Sequence, residues 1–104
     1  MPHPVVLIVE LWIAPGRSVE FEQFETAAAS IMGRHGGRME RRVAVRDRLG
    51  TSLPDEVHLV TFPSRTAYEA YRADPALASL AALRARAILR TVIREGADMP
   101  AFEA

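Results

Sequence analysis

Nothing constrains this chain more than its first apolar run. Residues 5–13 read Val-Val-Leu-Ile-Val-Glu-Leu-Trp-Ile, with one charge, Glu10, and one indole, Trp12. A run of this length suits a strand buried on both faces. Period two divides it into two sets. Val5, Leu7, Val9, Leu11 and Ile13 are wholly aliphatic and are expected to lie under helices. Val6, Ile8, Glu10 and Trp12 hold the strand's only polar side chains and face the other way. Helices on one side of a sheet leave the other side bare, so the second set calls for a further covering layer.

The remaining periodicities fix what that strand belongs to. Ala14-Pro15-Gly16 is a turn. Ser18 is the expected N-cap of a helix whose stripe is Phe21, Phe24, Ala28 and Ile31, with Glu20 and Glu22 near its positive end. That helix is expected to end near Arg34 and His35, before Gly36-Gly37. Strands are expected over 39–46 and 57–62, separated by a loop over 47–55 that holds Gly50 and Pro54. Pro63-Ser64 ends the third strand and caps a helix over 65–72. Asp74-Pro75 restarts a helix over 76–87, with Asp as N-cap and Pro at the first helical position. A fourth strand over 89–95 and a tail over 96–104 complete the chain. The order strand, helix, strand, strand, helix, strand predicts an α+β fold, a ferredoxin-like βαββαβ domain with a four-stranded antiparallel sheet. One domain is expected over 1–104, with its core over about 5–96. The bare face then predicts a homodimer in which two sheets pack face to face.

Composition removes several chemistries. The 104 residues have a formal net charge of zero, so no global field draws nucleic acid or an anionic membrane. Neither partner is expected. The first apolar run is too short to cross a bilayer as a helix. Cysteine is absent, which removes thiolate nucleophiles, thiolate metal sites and disulfides. That absence suits a reducing cytoplasm, and Met-Pro-His-Pro lacks the positive region of a signal peptide. Lysine is absent too, so all thirteen basic side chains are arginine and no Schiff base can form. The three histidines have no metal-ligand spacing, and neither a metal nor a cofactor is expected.

Short motifs add a resemblance. Gly36-Gly37-Arg38 opens the second strand, and Val60-Thr61-Phe62-Pro63-Ser64 joins the third strand to the second helix. Tyr71, Asp74-Pro75, Leu83-Arg84 and Glu95-Gly96 follow in order. Together these resemble an uncharacterised bacterial family of the dimeric α/β-barrel superfamily, related in fold to antibiotic-biosynthesis-monooxygenase-like domains. The resemblance spans nearly the whole chain and rests on structural motifs. It departs at Thr61, where the family often has an acidic residue, and in a tryptophan often found before the third strand. It implies a homodimeric barrel with a small-molecule pocket bordered by Glu10, Trp12, Arg90, Tyr68 and Tyr71. It also implies a cofactor-independent monooxygenase-like or isomerase-like enzyme. A haem-degrading variant is disfavoured, because that pattern relies on asparagine and this chain has none.

Each candidate has a structural reading beside the chemical one. Glu10 is expected inside the barrel near Arg90, and within reach of His58. Paired there it would be an ion pair that fixes the dimer, and left in apolar surroundings it would serve as a base. His58 is a candidate proton shuttle whose face depends on the register of the third strand. Trp12 either stacks on a flat ligand or fills the dimer interface. Tyr68 and Tyr71 either pack or donate phenol hydrogen bonds to a ligand, and Arg90 would anchor an anion. Arg38, Arg41, Arg42, Arg46 and Arg48 read as a solvated edge that discourages sheet-to-sheet pairing. The alternative to an enzyme is a non-catalytic ligand-binding or assembly module.

Overall fold

In the computed structural model, residues 3–47 and 52–103 are described. Arg48 and Gly50 of the expected basic edge and loop lie outside them. The elements are β1 (Val5–Ile13), α1 (Ser18–Arg34), β2 (Arg38–Ala44), β3 (Glu56–Phe62), α2 (Arg65–Arg72), α3 (Pro75–Ala78), α4 (Ala81–Ala87) and β4 (Ile88–Gly96). The sheet has the order β2-β3-β1-β4, with every neighbouring pair antiparallel. This is the ferredoxin-like arrangement expected from the order of periodicities.

Local chemistry explains most boundaries. Gly36 ends α1 with φ +76°, a conformation that glycine adopts without a Cβ penalty. A Cβ on Gly37 would collide with the Met32 and Phe62 side chains, so this glycine lets β2 start against the core. Ser64 accepts a hydrogen bond from the Ala67 amide at 3.1 Å, and Asp74 accepts one from the Ala76 amide at 2.8 Å. Both are N-caps, as expected. Ser18 is not one. The cap position falls on Arg17, whose guanidinium instead pairs with Glu20 at 2.8 Å. The expected helix over 76–87 is broken between Ala78 and Ala81 into α3 and α4. β2 ends at Ala44 rather than 46, and its pairing with β3 shifts between Met39 and Arg41, a bulge that suits an edge strand.

The split of β1 into two faces is as its sequence requires. Val5, Leu7 and Leu11 are buried, and Val60, Phe62, Tyr68 and Met32 pack with the first two of them. Leu11 joins Phe21, Phe24, Ala28, Ala87 and Ile88 in a second cluster. The molecule is only 16 Å thick along its shortest axis, which leaves room for the sheet and one helix layer. On the opposite side Ile8, Leu59 and Val43 remain 36%, 38% and 43% exposed, so this apolar face is bare in the single chain.

Candidate functional site

The sheet separates the expected site residues into two groups. Val9 pairs directly with His58 and Leu7 with Val60, so His58 shares the helix-covered face of β1. Glu10 lies on the other face, which rules out the expected approach of Glu10 to His58. Tyr68 and Tyr71 also lie on the helix side, each packed on Phe62 with ring centroids 5.2 and 5.3 Å apart. They therefore do not border one pocket with Glu10, Trp12 and Arg90.

Register also changes the partner of Glu10. It stands opposite Val92, while Arg90 stands opposite Trp12 and places its guanidinium 4.6 Å from the indole centroid. Glu10 takes Arg94, one pleat further along β4, as its hydrogen-bonded ion-pair partner. Arg94 is largely exposed, so in the single chain the pair sits at a wet surface.

Beneath the helices, the sheet and α1 enclose a cavity of about 280 Å³. Its walls are mostly aliphatic and aromatic, from Leu7, Phe24, Val60 and Phe62 among others. Drug-sized ligands occupy cavities of about this size or larger. Its polar lining is sparse and specific. Glu25 of α1, His58 of β3 and Tyr71 of α2 lie inside, with Arg72, Arg84 and Thr91 towards solvent. The opening lies over β4, where Ile93 lines the cavity yet is 51% exposed.

A chain of charges leads from the surface to this cavity. Arg42 binds Glu56 through two parallel bonds, Nε to Oε1 at 2.6 Å and Nη2 to Oε2 at 2.7 Å. The same guanidinium binds Glu22 of α1, with Nη1 donating to Oε2 at 3.2 Å. Arg42 is thus a clamp between α1 and the sheet as well as an exposed residue of the edge strand. Glu56 accepts from His58 Nε2 at 2.8 Å. The other ring nitrogen, Nδ1, lies 3.8 Å from Glu25 Oε2, too far for a hydrogen bond.

Electrostatics gives these groups distinct protonation states. Burial pushes the Glu56 carboxyl up, but the bonds from Arg42 and His58 outweigh it and hold Glu56 below the usual carboxylate range. Ionised Glu56 can only accept, so His58 carries its proton on Nε2 and, when neutral, presents a lone pair on Nδ1. Burial pushes the Glu25 carboxyl up, against the charge of His58 and with the charge of Glu56. Burial, reinforced by Glu25, pushes the Tyr71 phenol up to about 12, so it stays a donor. The result is a positioned base, a carboxyl whose burial favours its protonated form and a phenol on one apolar cavity.

Glu25, Glu56, Arg42 and Arg84 were not among the expected site residues. Two had a signal. Glu25 follows Phe21 by four and precedes Ala28 by three, so it breaks into the apolar stripe of α1. Glu56 precedes His58 by two, which puts both on one strand face. Among the described residues no group of His, Asp or Glu is arranged to hold a metal ion. No helix among them is long and apolar enough to cross a membrane.

Solved structures share the fold. A protein of unknown function from Rhodopseudomonas palustris aligns with a TM-score of 0.80 at 12% identity, over 97% of this chain and 86% of that one. SnoaB, a cofactor-independent oxygenase from Streptomyces nogalater, aligns with a TM-score of 0.71 at 16% identity, over 97% and 98%. A candidate antibiotic biosynthesis monooxygenase from Bacteroides thetaiotaomicron aligns with a TM-score of 0.73 at 17% identity, over 98% and 96%. No curated protein sequence matches the chain. The family resemblance drawn from Gly36-Gly37-Arg38 and the Phe62-Pro63-Ser64 junction holds: residues 7–97 match the family described as Domain of unknown function (DUF1330), and the chain belongs to it.

Proposed function

We propose that this protein binds a small, mostly apolar, enolisable molecule between its helices and sheet and moves a proton on it. It would then be an isomerase-like enzyme that needs no cofactor. The observation that carries this reading is His58 on the wall of an apolar cavity, its Nε2 bonded to a clamped Glu56 and its Nδ1 free of any hydrogen bond. A base oriented by a carboxylate is the arrangement that general base catalysis requires. The step balances without an oxidant. A proton leaves the carbon beside a carbonyl for His58 Nδ1, and its electron pair forms the carbon–carbon double bond. The carbonyl oxygen takes a proton from Glu25, giving the enol. Once the enol has left, His58 Nδ1 gives up the abstracted proton and Glu25 regains one through solvent, which restores both groups. The same deprotonation would open cofactor-independent oxygenation, with dioxygen as co-reactant.

The bare face supports a homodimer. Val6, Ile8, Val57, Leu59 and Val92 share it with Trp12, Glu10, Arg90 and Arg94, an apolar centre with charges that can be matched across a twofold axis. Glu10, Trp12 and Arg90 serve that interface, while His58, Tyr68 and Tyr71 serve the cavity. A chain without cysteine suits the cytoplasm.

Methyl phenylpyruvate is a neutral enolisable probe. It should bind saturably and exchange its benzylic protons with heavy water faster than buffer alone. His58→Gln should abolish the enzymatic exchange while binding persists. Ala81→Trp, at an exposed position on the cavity rim, should abolish binding. Binding without accelerated exchange would make the protein a ligand-binding module. No binding at all would overturn the cavity reading.

A further inference from the structure

The polar groups that line the cavity divide by exposure. His58 is buried and Glu25 and Tyr71 are half-buried, whereas Arg72 and Arg84 are exposed and Arg84 bonds to Thr91. The rest of the lining is mostly apolar. A ligand that matches this pattern has an apolar body and a polar head at the mouth.

Arg84 determines the sign of that head. It stands on α4, exposed to solvent, and its Nη2 donates to Thr91 Oγ1 of β4 at 2.9 Å. The neutral hydroxyl orients the guanidinium without neutralising it. Among the described residues no carboxylate forms an ion pair with Arg84. Other arginines near the helix layer differ. Arg72, which also lines the cavity, lies 3.7 Å from Glu69 and stacks 5.4 Å from the Tyr68 centroid. Arg42 is held between two glutamates. Arg84 is close enough to the interior that its charge lowers both Glu25 and Tyr71, although burial still raises each of them. Among the described residues the cavity therefore presents, in Arg84, an oriented cation without an ion-pair partner. A guanidinium offers two parallel N–H bonds that fit a carboxylate in its plane.

Resting on the cavity reading above, we propose that Arg84, oriented by Thr91, is an anion anchor, and that the substrate class is small 2-oxo acids with an apolar side chain. The carboxylate would lie on Arg84 at the rim. The apolar side chain would fill the interior, and the enolisable carbon between them would face His58. Charge fits this assignment, because burial favours the protonated Glu25 carboxyl, the form that adds no negative charge to repel the acid.

The test compares phenylpyruvate with its methyl ester by titration calorimetry. Both have the same skeleton and the same acidic carbon, and only the first is an anion. The wild type should bind the acid more tightly by on the order of tenfold to a hundredfold, the range of a charge-assisted hydrogen bond. Arg84→Gln should remove that preference, so that the two probes bind alike. Arg84→Lys, which keeps the charge but loses the fork, should retain part of it. The preference should also fall as salt rises, since the anchor is exposed. Equal binding of acid and ester by the wild type would overturn the anion anchor and leave the cavity reading intact. A preference that survives in Arg84→Gln would overturn the assignment to Arg84. If neither probe binds, the cavity reading itself fails, and the anchor with it.

Discussion

The two faces of the sheet are made from the same strands and differ in how their charges are held. On the helix side, His58 is 2% exposed and Glu56 is 8% exposed, yet each has a hydrogen-bonded partner and Arg42 closes the chain. On the bare side, Glu10 and Arg94 pair in contact with solvent, and Arg90 rests on Trp12. A buried charge persists only when it is paired and hydrogen-bonded. The helix side meets that condition within one chain. The other side leaves apolar residues and half-wet charges for a second layer. The proposed chemistry takes the first face and the proposed assembly the second.

The comparison breaks most sharply in the core. Phe62 is 1% exposed and supports both tyrosines of the cavity. Phe62→Ala should cost about 3–5 kcal/mol of stability by denaturant titration. Ile8→Ala, on the bare face, should leave the stability of a separated chain nearly unchanged and weaken self-association. Equal losses in the separated chain would erase the distinction between the faces.

Glu56→Gln tests the helix-side network. It should cost about 1.5–3 kcal/mol near neutral pH, because it weakens hydrogen bonds to charged or buried partners. The sign with pH follows from the depressed carboxyl. The stability that ionised Glu56 supplies is complete above its unfolded pKa, near the ordinary 4.5, and is lost as pH falls through its lower folded value. The variant should lack that acid-side loss. Glu25 runs the other way. Its raised carboxyl makes stability fall as pH rises from the ordinary 4.5 through its folded value, and Glu25→Gln should remove that slope.

Glu10→Gln should have the smallest effect on a separated chain, about 0–1 kcal/mol, as for other exposed ion pairs. At concentrations where chains associate the loss should grow, because the wet pair then becomes covered. Sedimentation equilibrium of wild type and variant over a concentration series checks this. A loss that does not depend on concentration would remove Glu10 from the interface.

Much of this was legible from residues alone. The order of elements, the two faces of β1, the caps at Ser64 and Asp74 and the helix stop at Gly36-Gly37 all follow from local rules. The face of β3 was not. Val57, Leu59 and Thr61 alternate with His58, Val60 and Phe62, and each set holds two apolar residues and one polar. Period two gives no preference between them. A contact distant in sequence decides, since Phe62 packs where Gly37 makes room. The register of β4 on β1 gave Glu10 to Arg94 and Arg90 to Trp12, a choice of one pleat that spacing does not encode. The cavity was hidden for a related reason. Its lining comes from all four strands and all four helices, and no single element carries that information.

The central claim is that His58 presents an unprotonated Nδ1 to a ligand in this cavity. Nitrogen-15 NMR of the imidazole measures it directly, in the free protein and during titration with methyl phenylpyruvate. In the neutral ring the proton is expected on Nε2, with an Nδ1 resonance that moves saturably as the probe binds. A ring protonated at Nδ1 with Nε2 bare, or an Nδ1 resonance unmoved by saturating probe, would contradict it.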